Sequence, residues 1–201
     1  TVIWADHQTA GRGRLDRDWE ADPGKGLLFS VLILPDSSIS RLSLIGLLAS
    51  LAIYDSLLAH LTEFMQPAQN RNEPLRLKWP NDILFDGRKL CGILCESGVN
   101  AADKRQFIIV GIGINVNQGT DDFSEELRHK ATSIYLITQQ NINRKKLLHV
   151  ILQHFDQYYR RLNTIGDDWI VDEWLQRSSI LGKMLKVNQR DQVIQGRCLG
   201  L

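Results

Sequence analysis

The sequence predicts an α+β fold: a mostly antiparallel sheet with helices gathered on one face. Three observations carry this. Short β-branched and apolar runs recur between turn signals. Two long stretches repeat their apolar residues at helical spacing. The strands between residues 75 and 116 follow one another through short connections, as antiparallel neighbours do.

Taken in order, Thr1 to Ala5 reads as a short strand. Asp6 to Lys25 follows as a long loop without periodicity, rich in glycine and arginine, and loops of that length are often functional. Gly26 to Leu34 reads as a buried strand ended by Pro35. Ser38 or Ser40 is placed to cap a helix to about Phe64, with Leu44, Leu47, Leu48, Leu51, Tyr54, Leu58 and Leu61 on one broad apolar face for a sheet. Met65 to Pro74 connects to a strand cluster: Leu75 to Lys78, a turn at Pro80-Asn81-Asp82, Ile83 to Phe85, a tight turn at Asp86-Gly87, and Lys89 to Glu96 returning. Gln106 to Val116 is a further strand. Arg144 to Leu162 is a helix capped by Asn143, and a shorter helix runs from Asp167 or Asp168 to about Gln176. Met184 to Val187 and Val193 to Gly196 read as a hairpin. The expected division is a main domain over 1–177 and the start of a small β-domain over 178–201.

With 43% apolar and 23% charged residues, the chain has the balance of a folded globular protein. A formal net charge of +1 gives no global field for nucleic acid, so any basic site is local. Cys91, Cys95 and Cys198 are too few for a disulfide framework, and a reducing, cytoplasmic setting is expected. The apolar stretch Leu42 to Leu61 is interrupted by Ser43, Ser50, Asp55, Ser56 and His60, which argues against a membrane span.

Three constellations carry chemistry. In Gln8 to Trp19, Arg12, Arg14 and Arg17 lie within a short stretch spaced by Gly11 and Gly13. Glycine lets backbone amides approach an anion, arginine forks grip phosphate, and Trp19 offers a face to a purine. The same composition also suits an RNA-binding or simply solvated loop. In the second, Lys78 ends a strand that should be buried, where a lysine is costly without an anion. A hairpin would bring it near Lys89, so that a phosphate and a carboxylate are needed between the two ammonium groups; alternatively both snorkel to solvent. In the third, Gly111 and Gly113 leave one face of a strand bare, for a ligand or for close packing of a helix, beside Asn115.

In this order the constellations resemble the biotin protein ligase family: Gln8 with Ala10 to Arg14 and Arg17-Asp18-Trp19; Lys78-Trp79-Pro80-Asn81-Asp82; Gly87 to Leu94 with Glu96; and Gly111 to Asn117. The likeness covers about residues 1–177. It implies the class II synthetase-like fold of biotin and lipoate ligases, followed by an SH3-like small barrel. It also implies condensation of biotin with ATP to biotinyl-5′-adenylate, then transfer to a lysine of a biotin carboxyl carrier domain. Carried over by motif, Lys78, Arg12 and Asp82 would be catalytic, Lys78 at the α-phosphate and Asp82 orienting the acceptor lysine. Gln8, Arg12, Gly13, Arg14, Lys89 and Gly92 would bind biotin, Lys89 near its carboxylate. Gly11, Arg12, Arg14, Arg17, Trp19, Lys78, Asn81 and Asn115 would bind ATP or the adenylate, with Trp19 over adenine. Mg²⁺ would bridge the nucleotide phosphates, with no protein-held metal site.

The resemblance also implies a Ser/Thr-rich biotin-binding motif upstream of Thr1 and a fuller C-terminal barrel, so weak or absent activity is expected of this stretch by itself. No DNA-binding helix-turn-helix is read within it, and a homodimer through a sheet edge is left open. The alternatives are a lipoate or octanoate ligase of similar fold, and a non-catalytic module binding nucleic acid or a small ligand. Cys91 and Cys95 lack a second Cys/His pair and read as small buried hydrophobes. His7 is read as a possible cleft residue, and His60, His129, His149 and His154 as surface residues. Lys145-Lys146 and Arg160-Arg161 read as charged helix faces.

Overall fold

The computed structural model describes residues 1–15, 17–35, 42–62, 74–178, 180–189 and 192–201. The elements are β1 (Val2–Ala5), β2 (Leu27–Ile33), α1 (Leu42–Leu61), β3 (Leu75–Lys78), β4 (Asp82–Phe85), β5 (Arg88–Val99), β6 (Gln106–Ile114), α2 (Ile134–Thr138), α3 (Arg144–Ile165), α4 (Asp168–Arg177), β7 (Met184–Gln189) and β8 (Gln192–Arg197). The expected caps at Ser38 or Ser40 and the helix end at Phe64 lie outside the described residues.

The first six strands form one antiparallel sheet in the order β1-β2-β6-β5-β4-β3. Its two halves meet where β2 pairs β6 and β6 pairs β5. Asp86 and Gly87 take left-handed φ values of 47° and 77°, as the β4–β5 hairpin turn requires. β7 and β8 form a separate two-stranded ribbon.

Helix α1 lies between the sheet and an outer layer of α3 and α4. The one-faced helix expected from sequence is therefore corrected: Ile45, Leu48, Leu51, Ile53, Leu57 and Leu61 are all fully buried and together point to every side of the axis. The stretch Leu44–Leu61 is long and apolar enough to cross a bilayer, but 72% of it is buried inside the protein, so its apolarity belongs to the core. Its polar residues are matched from the outer layer. Ser50 Oγ accepts from Trp174 Nε1 at 3.0 Å, and Ser56 Oγ lies 2.7 Å from His154 Nδ1. Asp55 accepts from Tyr158 and pairs with Arg177 at 3.2 Å.

This layer revises two surface assignments. His154 is half-buried against α1. Arg161 stacks its guanidinium 3.9 Å from the Trp169 ring and pairs with Glu173. Asn143 caps α3, its side chain accepting from Lys146 N at 3.1 Å, whereas Asp167 precedes α4 without a side-chain cap. The short helix α2 was not anticipated; Ser133 caps it by accepting from Leu136 N.

Candidate active site

The helices cover one face of the sheet. The other face carries a cleft of about 830 Å³, lined by the β1–β2 loop, the strand ends of β3–β6 and the segment after β6. The parity of β5 assigns the faces. Cys95 turns toward α1, where its Sγ would lie 3.3 Å from a Cβ on Gly46, while Gly92, Leu94 and Glu96 line the cleft. A bulge interrupts this alternation. Ile83 pairs Cys91 and Leu84 pairs Lys89, which leaves Leu90 without a partner. The extra residue puts Lys89 and Gly92 on the same face although they are three positions apart.

The β1–β2 loop is more ordered than its composition implied. It folds into a small hairpin: Trp19 N donates to Gly11 O at 3.0 Å, Gly13 N donates to Arg17 O at 2.6 Å, and Arg12 bridges Asp18. Asp16 lies outside the described residues. Two expectations change here. A Cβ on Gly11 would sit 2.3 Å from Trp19 O, so this buried glycine permits the hairpin to close and does not line the cleft. The Gly13 amide is held by Arg17 and is not free to meet an anion. Arg12 reaches Glu96 at 3.3 Å, an exposed pair. Arg14 and Arg17 line the cleft with no ion pair among the described residues. Arg144 anchors the base of the loop, donating to Gly26 O and pairing with Asp6 at 2.7 Å.

Trp19 lies on the sheet floor. A Cβ on Gly113 would come within 2.4 Å of its Cε2, and one on Gly92 within 2.8 Å of its Cζ3. The bare strand face at Gly111 and Gly113 thus opens on the cleft and not on a helix. Lys89 Nζ is 5.4 Å from the indole centroid and 2.7 Å from Asp82 Oδ1, a close ion pair whose angles are off the hydrogen-bond line.

Lys78 pairs Asp82 in the β3–β4 ladder, and Asp82 pairs Gly92 of β5. The carboxylate expected near the two lysines is therefore supplied by the protein itself, through Asp82 on Lys89. Lys78 is exposed and lines the cleft, and its side chain has no hydrogen bond or ion pair among the described residues, so the cost of burying it does not arise.

The two asparagines hold the walls together. Asn81 donates to Ile93 O at 2.7 Å. Asn115 is 4% exposed, donates to Thr132 O and Lys89 O, and accepts from Gln118. Their amides position β5 and Lys89, and both residues line the cleft as well. Gln8 lines the cleft; His7 does not, and its Nδ1 lies 3.2 Å from Ala21 O.

Sequence reasoning missed the far wall, where Phe123, Leu127, His129, Lys130 and Ala131 line the cleft. Lys89 N donates to Lys130 O and Thr132 N to Lys89 O, which stitches this segment to β5. The four-residue spacing of Phe123 and Leu127 was the available signal. On the helix side, burial pushes the Cys95 thiol up to about 11 and raises Cys91 further. Among the described residues no cluster of three His, Cys, Asp or Glu gathers to hold a metal.

Known proteins resemble this chain in sequence and fold. Residues 1–115 match the model of the biotin/lipoate A/B protein ligase family. The whole chain is 34% identical to the bifunctional ligase/repressor BirA of Bacillus spizizenii and spans 58% of its length. It is 31% identical over 183 residues to the biotin–[acetyl-CoA-carboxylase] ligase of Paracoccus denitrificans, covering 90% of this chain and 72% of that protein. The biotin protein ligase from Aquifex aeolicus, solved in complex with biotin and ATP, superposes over all of this chain and 77% of its own, with a TM-score of 0.81 and 31% identity.

Proposed function

Since the chain belongs to the biotin/lipoate A/B protein ligase family, we propose that it forms the adenylating core of a biotin protein ligase. In this reading it condenses biotin with ATP and passes the biotinyl group to a lysine of a biotin carboxyl carrier domain. One observation carries it: a single cleft gathers Lys78, Lys89, Arg12, Arg14 and Arg17 around a glycine floor.

In the first step a biotin carboxylate oxygen attacks the α-phosphorus and pyrophosphate leaves. Two anions must meet, so charge neutralisation and alignment supply most of the catalysis. Lys89 receives the carboxylate, and Lys78, free of any internal partner among the described residues, faces the α-phosphate. Arg12, Arg14 and Arg17 take the remaining phosphate charge. Gln8 and Gly92 border the acid, and Asn81 and Asn115 hold the walls. In the second step the acceptor amine attacks the acyl carbonyl and AMP leaves, with Asp82 orienting that amine. Mg²⁺ enters with the nucleotide as MgATP.

Biotin-dependent exchange of pyrophosphate into ATP tests the reading, with lipoate and octanoate offered in parallel. Weak exchange with biotin is expected. Exchange with lipoate or octanoate alone would move the assignment to the other branch of the family, and exchange with none of the acids would reject adenylation by this chain.

A further inference from the structure

One end of the cleft floor is covered by the protein's own side chains. Trp19 lies against Gly92 and Gly113, while Gly111, on the same floor, would meet nothing nearer than 3.5 Å with a Cβ added. Contact with the indole is thus confined to one end of the floor. At that end Lys89 turns to the Asp82 carboxylate at 2.7 Å, and its ammonium stands 5.4 Å from the ring centroid. An apolar ring on the glycines and a carboxylate on the lysine are the two features of an acid with a ring body.

We propose that Trp19 and Asp82 together form an internal stand-in for the acid, which the incoming biotin displaces from the glycine floor and from Lys89. The inference rests on the reading that the floor and Lys89 receive the acid. Two observations indicate that the stand-in is loosely held. Trp19 Nε1 is buried with no hydrogen-bond partner among the described residues, an arrangement that opposes the packing of its ring. The loop bearing Trp19 is tied to β5 by the Arg12–Glu96 pair, whose side chains are 72% and 45% exposed, and such pairs contribute little. Displacement also frees Asp82 after the acid has bound, so the order of events (acid first, acceptor lysine second) is written into one ion pair.

A closed population lowers apparent affinity by the fraction that is open. Removing either half of the stand-in therefore tightens acid binding, by about tenfold if one molecule in ten is open. Equilibrium dialysis of labelled biotin without ATP, on the full chain and its Trp19→Ala and Asp82→Asn variants, reads this directly. Tighter binding in both variants is expected; a residue that only supports the fold or contacts the ligand gives weaker binding when removed. A parallel measurement follows acrylamide quenching, with Trp19→Phe as the blank that isolates Trp19 from the other tryptophans. Biotin is expected to raise the quenching of Trp19. Binding that is unchanged or weaker in the variants, or a Trp19 that becomes more protected, overturns the inference and leaves the functional reading intact. No binding in any of the three proteins overturns both.

Discussion

Lys89 reaches the cleft because Leu90 is extruded from the β4–β5 register. Lys78 reaches it as the last residue of β3. In the proposed reaction the two lysines occupy different places, and their removal is expected to separate. Lys78→Ala is expected to slow adenylate formation by roughly 10²-fold or more, as loss of a transition-state charge donor does, with biotin binding nearly unchanged. Lys89→Ala is expected to weaken biotin binding itself. Pyrophosphate exchange beside dialysis distinguishes them, and the reverse pattern would exchange their roles. On the opposite face, Cys91 and Cys95 are held protonated by burial. Both should resist a thiol reagent at pH 8 in the native protein and react once it is denatured; rapid native reaction of either would contradict their placement against α1. The identities of these residues were legible in the sequence through their motifs. Their facing was not: strict alternation along β5 puts Lys89 and Gly92 on opposite faces, and only the bulge reunites them. Nor does any local pattern reveal that Trp19 folds back onto Gly113, a contact made across the whole sheet half.

Helix α1 and the outer helices share a half-buried polar cluster of Asp55, Tyr158, Glu173 and Arg177. Burial, reinforced by Asp55, raises the Tyr158 phenol above its ordinary value. An unfolded tyrosine loses its proton near pH 10 while this one keeps it, so the folded state binds more protons above that point and stability falls as pH rises through the window. Melting temperature followed from pH 8 to 11.5 is expected to drop above about pH 10, with a shallower drop in Tyr158→Phe; identical slopes would remove Tyr158 as the cause. In the same layer, Leu48 is fully buried, and Leu48→Ala is expected to cost about 2–5 kcal/mol in denaturant unfolding. Periodicity located both long helices. It misjudged α1 because polar residues such as Ser50 and Asp55 read as a wet side, when each has a partner in α3 or α4. The short α2 escaped because five residues hold too little periodicity to register, although Ser133 marked its start.

At the scale of the molecule, one core joins the six-stranded sheet to four helices, and the β7–β8 ribbon stands outside it. Val193 and Ile194 of the ribbon are 56% and 50% exposed, and a two-stranded hairpin is marginal alone in water. Ending the chain after Ile180 is therefore expected to leave one cooperative transition, shifted by about 1 kcal/mol or less, as for changes outside the core; loss of cooperativity would show that the ribbon belongs to the main domain. The antiparallel fold was readable because its hairpins are local, whereas the order β1-β2-β6-β5-β4-β3 joins residues that no short window compares. The same floor of glycines has a use in protein engineering. A methyl at Gly111→Ala meets Leu94 O at 3.5 Å, ordinary contact, whereas at Gly113 it would strike the Trp19 ring. Where the floor takes the acid as proposed, position 111 narrows the mould by one methyl without disturbing its walls, and Gly111→Ala is expected to sort synthetic acid analogues by girth in dialysis.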